Sequence, residues 1–262
     1  LELHDDNNYF QRNIFALKNL KTKEIFPSQI YFVDKKRKII FREYLKGNFA
    51  SDLILKKVWK EKELKRFITK SAKFAAFLHN FKFKKKPKFL LTKINQKIEK
   101  IILSKTLEFI KPNIENLRPT IERNLRLLFQ KMRYLERINE KCLIHGDYQV
   151  ANFIFDSQKR LRVMDFDTVE FGNPARDLGR FLAQLESIIN SKTKRDSLEN
   201  LFLNVYLKMS KRRFFPDLNT NLNVYKAEMI QYMILGKIWE DEIPSPKEIK
   251  NLLDYQTLLL TP

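Results

Sequence analysis

The chain has 262 residues, 44% of them hydrophobic and 22 of them phenylalanine, enough to bury a sizeable core as one large domain or two unequal lobes. Its formal net charge of +20 is scattered as lysine over helical stretches rather than gathered in an Arg-rich or aromatic-interleaved motif, so nucleic-acid binding is not the expected function. A single cysteine, Cys142, excludes an intrachain disulfide and a thiolate metal cage and fits a reducing, cytoplasmic setting; no run approaches the ~18–20 apolar residues of a membrane span.

Tyr9 to Leu20 places Phe10, Ile14, Leu17 and Leu20 near helical spacing, with N-cap candidates from Asp5 to Asn8. Pro27 ends the connection that follows. Gln29 to Val33 and Ile39 to Tyr44 are short apolar runs around Asp34-Lys35-Lys36-Arg37-Lys38, a hairpin with a charged tip, and Gly47 closes this unit. From Ser51 the pattern is helical. Phe67 to Phe81 carries Phe67, Ala72, Phe74, Ala75, Phe77 and Leu78 on one broad face, and further helices are predicted from about Leu90 to Lys111 and from about Thr120 to Asn139. Neither shows a heptad, and no internal repeat is evident.

The pattern then changes. Cys142 to Ile144, Phe153 to Phe155 and Leu161 to Met164 are short apolar runs, the last two joined by Asp156-Ser157-Gln158-Lys159-Arg160, which has turn composition. On the loops around this hairpin lie His145-Gly146-Asp147, Asn152 and Asp165-Phe166-Asp167, where a scaffold can display them. One carboxylate, an amide five residues on and a second carboxylate can take a proton from a hydroxyl and hold Mg²⁺ against phosphates. A lone Asp in such a place is most often a turn residue; the company of Asn152 and Asp165 argues for chemistry. Helix resumes after Pro174 and continues to the end.

These residues resemble the aminoglycoside phosphotransferase and choline kinase-like enzymes, relatives of protein kinases. Gly172-Asn173-Pro174-Ala175-Arg176-Asp177-Leu178 is similar to the family's Gly-Asp-Pro-x-x-Asp-Leu segment, with Asn173 in place of the usual acid. Phe77-Leu78-His79 resembles the Leu-His ending of the helix before the catalytic region, and Phe41-Arg42-Glu43-Tyr44-Leu45-Lys46-Gly47 resembles the hinge between lobes. The resemblance implies an α+β, protein kinase-like two-lobed fold, with residues 1–46 as a truncated, small mixed N-terminal lobe and residues 47–262 as a large, mainly helical C-terminal lobe. It implies ATP and Mg²⁺ as cofactors and a small-molecule hydroxyl as acceptor. It makes Asp147 the catalytic base, Asn152 and Asp165 the metal ligands, and Glu43, Leu45, Asn152 and Asp165 the nucleotide contacts. His145 becomes a packed brace and Asp177 an acceptor for catalytic-loop amides; Asp167 is divided between a second metal or substrate role and hydrogen bonding of loop amides.

The chain departs from that family near its start. Gly47 is its first glycine, so no glycine-bearing phosphate loop precedes the hinge. Leu1-Glu2-Leu3 aligns with the end of the lysine strand, with Glu2 at the lysine, and Asn13 stands where the lysine's glutamate partner is expected. The expectation is an active enzyme whose first strands lie upstream; the alternative is a noncatalytic kinase-like binding module with a basic surface. Trp239-Glu240-Asp241-Glu242 is a candidate ammonium-binding patch for the acceptor, set against a plain solvated helix end.

Overall fold

The computed structural model describes residues 2–3, 7–22, 25–84, 86–91, 103–104, 106–138, 141–158, 160–210, 218–239 and 245–261. In chain order it begins with β1 (Glu2–Leu3), α1 (Asn7–Asn19), β2 (Ile25–Phe26), β3 (Ile30–Asp34), β4 (Ile39–Arg42), β5 (Gly47–Phe49), α2 (Ala50–Leu55) and α3 (Glu61–His79). It continues with α4 (Arg118–Ile138), β6 (Cys142–Ile144), β7 (Phe153–Asp156), β8 (Leu161–Val163) and β9 (Glu170–Gly172). The last elements are α5 (Pro174–Ile188), α6 (Lys192–Met209), α7 (Leu218–Trp239) and α8 (Pro246–Leu260). No helix among the described residues is long and apolar enough to cross a membrane.

Two compact units form, the first from residues 1–92 and 141–213 and the second from residues 93–140 and 214–262. The first holds all the described strands. An antiparallel sheet runs in the order β1-β4-β3, so the Glu2–Leu3 strand pairs with the predicted hairpin. At the hairpin tip, Asp34 Oδ1 accepts from the Arg37 amide at 2.9 Å. A second sheet, β2-β8-β7-β5, joins the chain after the predicted hinge segment to the hairpin that carries the motif, and β6 pairs with β9.

Phenylalanines hold this unit together. The α3 face of Leu64, Phe67, Ile68, Ser71, Ala72, Phe74, Ala75 and Leu78 is buried at helical spacing. Phe67 meets Phe153 at 5.5 Å and Phe181 at 6.0 Å between ring centroids, and Phe181 stacks on Phe202 at 4.6 Å. Each such side chain contributes about 1.5–3 kcal/mol by leaving water. Tyr148, from the motif loop, enters the same cluster and donates to the Ser71 carbonyl at 2.6 Å, so the motif loop is anchored in the core. The helix predicted from Phe67 to Phe81 starts earlier, where the Glu63 carboxylate accepts from the Lys60 amide at 2.8 Å, and it ends at His79, with Asn80 donating to the Met209 carbonyl at 3.0 Å. The N-cap candidates Asp5 and Asp6 and most of the Leu90–Lys111 helix lie outside the described residues.

The second unit packs α4, α7 and α8 around Ile121, Leu125, Ile230, Ile234, Ile249 and Leu253. Within it Asn124 donates to Gln256 Oε1 at 3.1 Å, and Gln256 donates to Gln231 Oε1 at 3.0 Å, all three side chains buried. The Trp239–Glu242 patch falls on the end of α7 and on residues outside those described.

Candidate active site

Strand β6 delivers His145-Gly146-Asp147 to the end of the sheet. Gly146 has φ +82°, and a Cβ there would sit 2.4 Å from the Thr168 carbonyl oxygen, so only glycine fits. The amides of His145 and Gly146 donate to the two oxygens of Asp177 at 2.8 and 2.9 Å. His79 Nε2 lies 3.1 Å from Asp177 Oδ2, and its Nδ1 is 2.9 Å from the Tyr206 hydroxyl. Burial pushes the Asp177 carboxyl up, but the hydrogen bond and charge of His79, with the charge and amide of His145, together hold it below the usual carboxylate range. His145 is fully buried, with Nε2 2.9 Å from the Met164 carbonyl and its ring against Phe166, the surroundings of a packed side chain.

Asp147 emerges with both carboxylate oxygens engaged. Oδ2 accepts from Gln149 Nε2 and Asn152 Nδ2, each at 2.9 Å, and Oδ1 lies 3.2 Å from Arg180 Nη1. Arg180 also donates to the Gly146 carbonyl at 2.6 Å. Asn152 Nδ2 makes a second bond, to the Asp147 carbonyl at 2.8 Å. Two acceptors on its amide nitrogen leave the Asn152 oxygen as the atom presented to a cation.

The hairpin register brings Asp165 to the same place. Phe153 pairs with Val163, and the Met164 amide donates to the Asn152 carbonyl at 3.0 Å, so Asp165 leaves β8 beside the start of β7. Asp165 has φ +58°, a left-handed conformation uncommon for a residue with a side chain. Asp167 accepts a short hydrogen bond from the buried Asn13 amide of α1. Among the described residues no three His, Cys, Asp or Glu side chains group as a metal site. An amide oxygen and a carboxylate nevertheless suit Mg²⁺, which takes hard oxygen donors from one or two side chains and draws the rest from phosphates and water.

Next to this loop is a cavity of about 460 Å³ whose walls include Glu43, Tyr44, Leu45, Gly47, Ile154 and Met164. It contains the predicted hinge contacts Glu43 and Leu45. Asn152 and Asp165 do not line it; Asp165 directly follows the lining residue Met164. The Glu43 carboxylate is engaged by Arg162 and by the Gln29 amide at 3.1 Å, and its own amide donates to the Gln29 carbonyl at 2.8 Å, so its backbone carbonyl is what remains for a ligand. Burial raises the Glu43 carboxyl, and the Arg162 bond and charge with the Gln29 amide bring it below its ordinary value.

Arg180, Gln149 and Gln184, whose Oε1 accepts from the Ala151 amide at 2.9 Å, are absent from the residues singled out in the sequence. A signal for two of them existed. Asp177, Arg180 and Gln184 recur at i, i+3 and i+7 on a helix otherwise lined by Leu178, Phe181, Leu182 and Leu185, a polar stripe, buried at Asp177 and Arg180 and half-buried at Gln184, that calls for something polar facing it. Asn173, which stands in place of the acid, caps α5 by accepting from Ala175 N at 3.0 Å through Oδ1, ahead of Pro174 at the first helical position, a role the acid would fill equally.

This is a protein kinase-like fold of the kind used by small-molecule kinases. The profile of the phosphotransferase enzyme family matches residues 43–210, and the chain belongs to that family. Aminoglycoside phosphotransferase APH(2'')-Ib, bound to ADP, is 18% identical at a TM-score of 0.59, covering 97% of this chain and 84% of its own. Choline kinase from Cryptosporidium parvum Iowa II is 13% identical at 0.65, with 97% and 78% covered. Choline kinase LicA from Streptococcus pneumoniae is 16% identical at 0.57, with 97% and 80% covered. A comparison with curated proteins finds no match.

Proposed function

We propose that this enzyme moves the γ-phosphate of ATP to a hydroxyl of a small molecule, with an aminoglycoside, an amino-alcohol or a sugar-like compound as acceptor. The observation that carries the reading is the meeting of Asp147, Asn152 and the Asp165 turn at one end of the β7–β8 hairpin. Aminoglycoside phosphotransferase with ADP, a streptomycin–ATP complex of APH(2")-IIa and the choline kinases support both the nucleotide and the acceptor class.

In this reading the nucleotide base occupies the 460 Å³ cavity against the backbone of Glu43 and Leu45. Asp147 takes the proton of the acceptor hydroxyl as its oxygen bonds to the γ-phosphorus and the bond to the β–γ bridging oxygen breaks. Arg180, Gln149 and Asn152 hold the carboxylate so that it meets the hydroxyl in one orientation. Asn152 Oδ1 and the Asp165 carboxylate are the oxygens for Mg²⁺, which neutralises phosphate charge when bound. Residues 43–47 act as the hinge.

The test incubates the protein with Mg-ATP and a panel of aminoglycosides, choline, ethanolamine and sugars, and detects phosphorylated product by mass spectrometry. Asp147→Ala is expected to slow product formation about 10²–10⁴-fold while the thermal unfolding profile stays in place; turnover at the wild-type rate in that variant removes Asp147 as the base. Asp165→Asn is expected to weaken Mg-dependent nucleotide binding, and unchanged affinity removes it as a ligand.

A further inference from the structure

A second cavity, of about 760 Å³, lies on another wall of the hinge segment, bounded by the end of α1, by β3 and by the β7–β8 hairpin. Its size is that of a small-molecule site. Lys18, Lys21, Arg160 and Arg162 line it against one carboxylate, Glu43. That ratio of four to one, against 51 basic to 31 acidic residues in the chain, sets this wall apart from the general lysine excess. Asp156 holds Arg160 at 2.8 Å and Arg162 at 3.4 Å, so the guanidinium groups are fixed in advance, while Lys18 and Lys21 are exposed and carry no ion pair among the described residues.

The aromatic wall is built by a β-bulge. Ile30 pairs with Arg42 but Phe32 pairs with Phe41, which leaves Tyr31 as the extra residue. Strand alternation sends neighbouring side chains to opposite faces; a bulge re-aims one of them. Tyr31 and Phe32 accordingly both line the cavity, yet remain 66% and 59% exposed. Two adjacent exposed rings gain nothing from the core and offer a stacking surface. The hydroxyl of Ser28, a residue only 1% exposed on the same wall, has no hydrogen-bond partner among the described residues.

We propose that this cavity binds an aromatic phosphate of the nucleoside monophosphate class. The ring stacks on Tyr31 and Phe32, and the phosphate is held by Lys18, Lys21 and Arg160. Ser28 and Glu43 line both cavities, which therefore share part of a wall.

Calorimetric titration of the whole protein with AMP, in the presence of saturating Mg-AMP-PNP to fill the hinge cavity, tests this. Wild type is expected to bind AMP, and adenosine and inorganic phosphate each more weakly. Tyr31→Ala should weaken AMP about fivefold or more through lost stacking, and Lys18→Glu with Lys21→Glu about tenfold or more through lost charge-assisted bonds. These are exposed positions outside the catalytic loop, and thermal melts check that folding is kept. AMP affinity unchanged in both variants, AMP fully excluded by Mg-AMP-PNP, or phosphate binding as tightly as AMP overturns the proposal. If Mg-AMP-PNP itself does not bind, the same titrations without it still decide through the variants, so failure of the catalytic reading is read separately.

Discussion

Both units bury polar side chains in helical surroundings, and they use them differently. In the first, Asp177, Arg180 and Gln184 on α5 spend their hydrogen bonds on the backbone and carboxylate of the loop from His145 to Asn152. In the second, Asn124, Gln231 and Gln256 bond mainly to one another and to helix carbonyls, linking α4, α7 and α8. A loop has amides and carbonyls that no ladder satisfies, so a buried polar face on a neighbouring helix can set its shape. Packed helices have already satisfied their own backbones, and polar groups between them fix only how the helices match. The first arrangement therefore shapes the loop that carries the proposed base, whereas the second holds helices together.

Variants can break this contrast. The largest effect is expected at Asp147: Asp147→Ala should lower kcat about 10²–10⁴-fold, the range of a general base, with little change in unfolding temperature. Asp177→Ala leaves His79 and two buried amides without their acceptor, and a loss of about 3–5 kcal/mol in denaturant unfolding is expected along with activity. Arg180→Lys keeps the charge but moves it away from the Nη1 position, from which one nitrogen donates to both Gly146 and Asp147. Turnover should fall about 10–100-fold with KM for ATP nearly unchanged, because the damage is to orientation at the reacting atoms. An equal effect from Arg180→Met and Arg180→Lys on stability alone would make Arg180 a packing residue.

Gln256→Ala in the second unit should cost about 1–3 kcal/mol, since it strands the Gln231 oxygen and removes one of the acceptors of Asn124, whereas replacing all three by well-packed apolar residues should be nearly neutral. Neither change should alter kcat if the contrast holds. The smallest effect is in acid. With the folded Asp177 carboxyl held below its ordinary value, its contribution is present above the unfolded pKa of about 3.9 and is lost as pH falls through the folded one. Unfolding midpoints should drop on acidification below about pH 4, and the slope should shrink in Asp177→Asn. The amide network adds no such slope, because none of its members titrates.

Much of this was legible beforehand. Helical periodicity placed α1 and the apolar face of α3, and the charged tip placed the β3–β4 hairpin. The motif placed Asp147, Asn152 and Asp165 on loops around a second hairpin, and the family resemblance extended to Asp177 as the acceptor of loop amides. The resemblance makes His145 a brace, and its buried ring beside Phe166 and Met164 has that setting. Less legible was the hinge. Glu43 looks like a ligand contact, but its carboxylate answers to Arg162, 119 residues away, in a pairing no local pattern announces.

What the sequence determined by itself is whatever depends on neighbours along the chain. This covers the turn that only Gly146 allows, the cap at Asn173 and Pro174, the spacing of the acid–amide–acid set and the stripe along α5. Tertiary structure alone decided which groups meet. Asn13 reaches Asp167 across 154 residues, His79 reaches Asp177 across 98, and Arg180 turns back onto Asp147. The bulge at Tyr31 belongs to the same class, because it exists only in register with β4. Chemistry is carried by residue type and short spacing, whereas orientation and pKa depend on contacts that form only when distant segments pack.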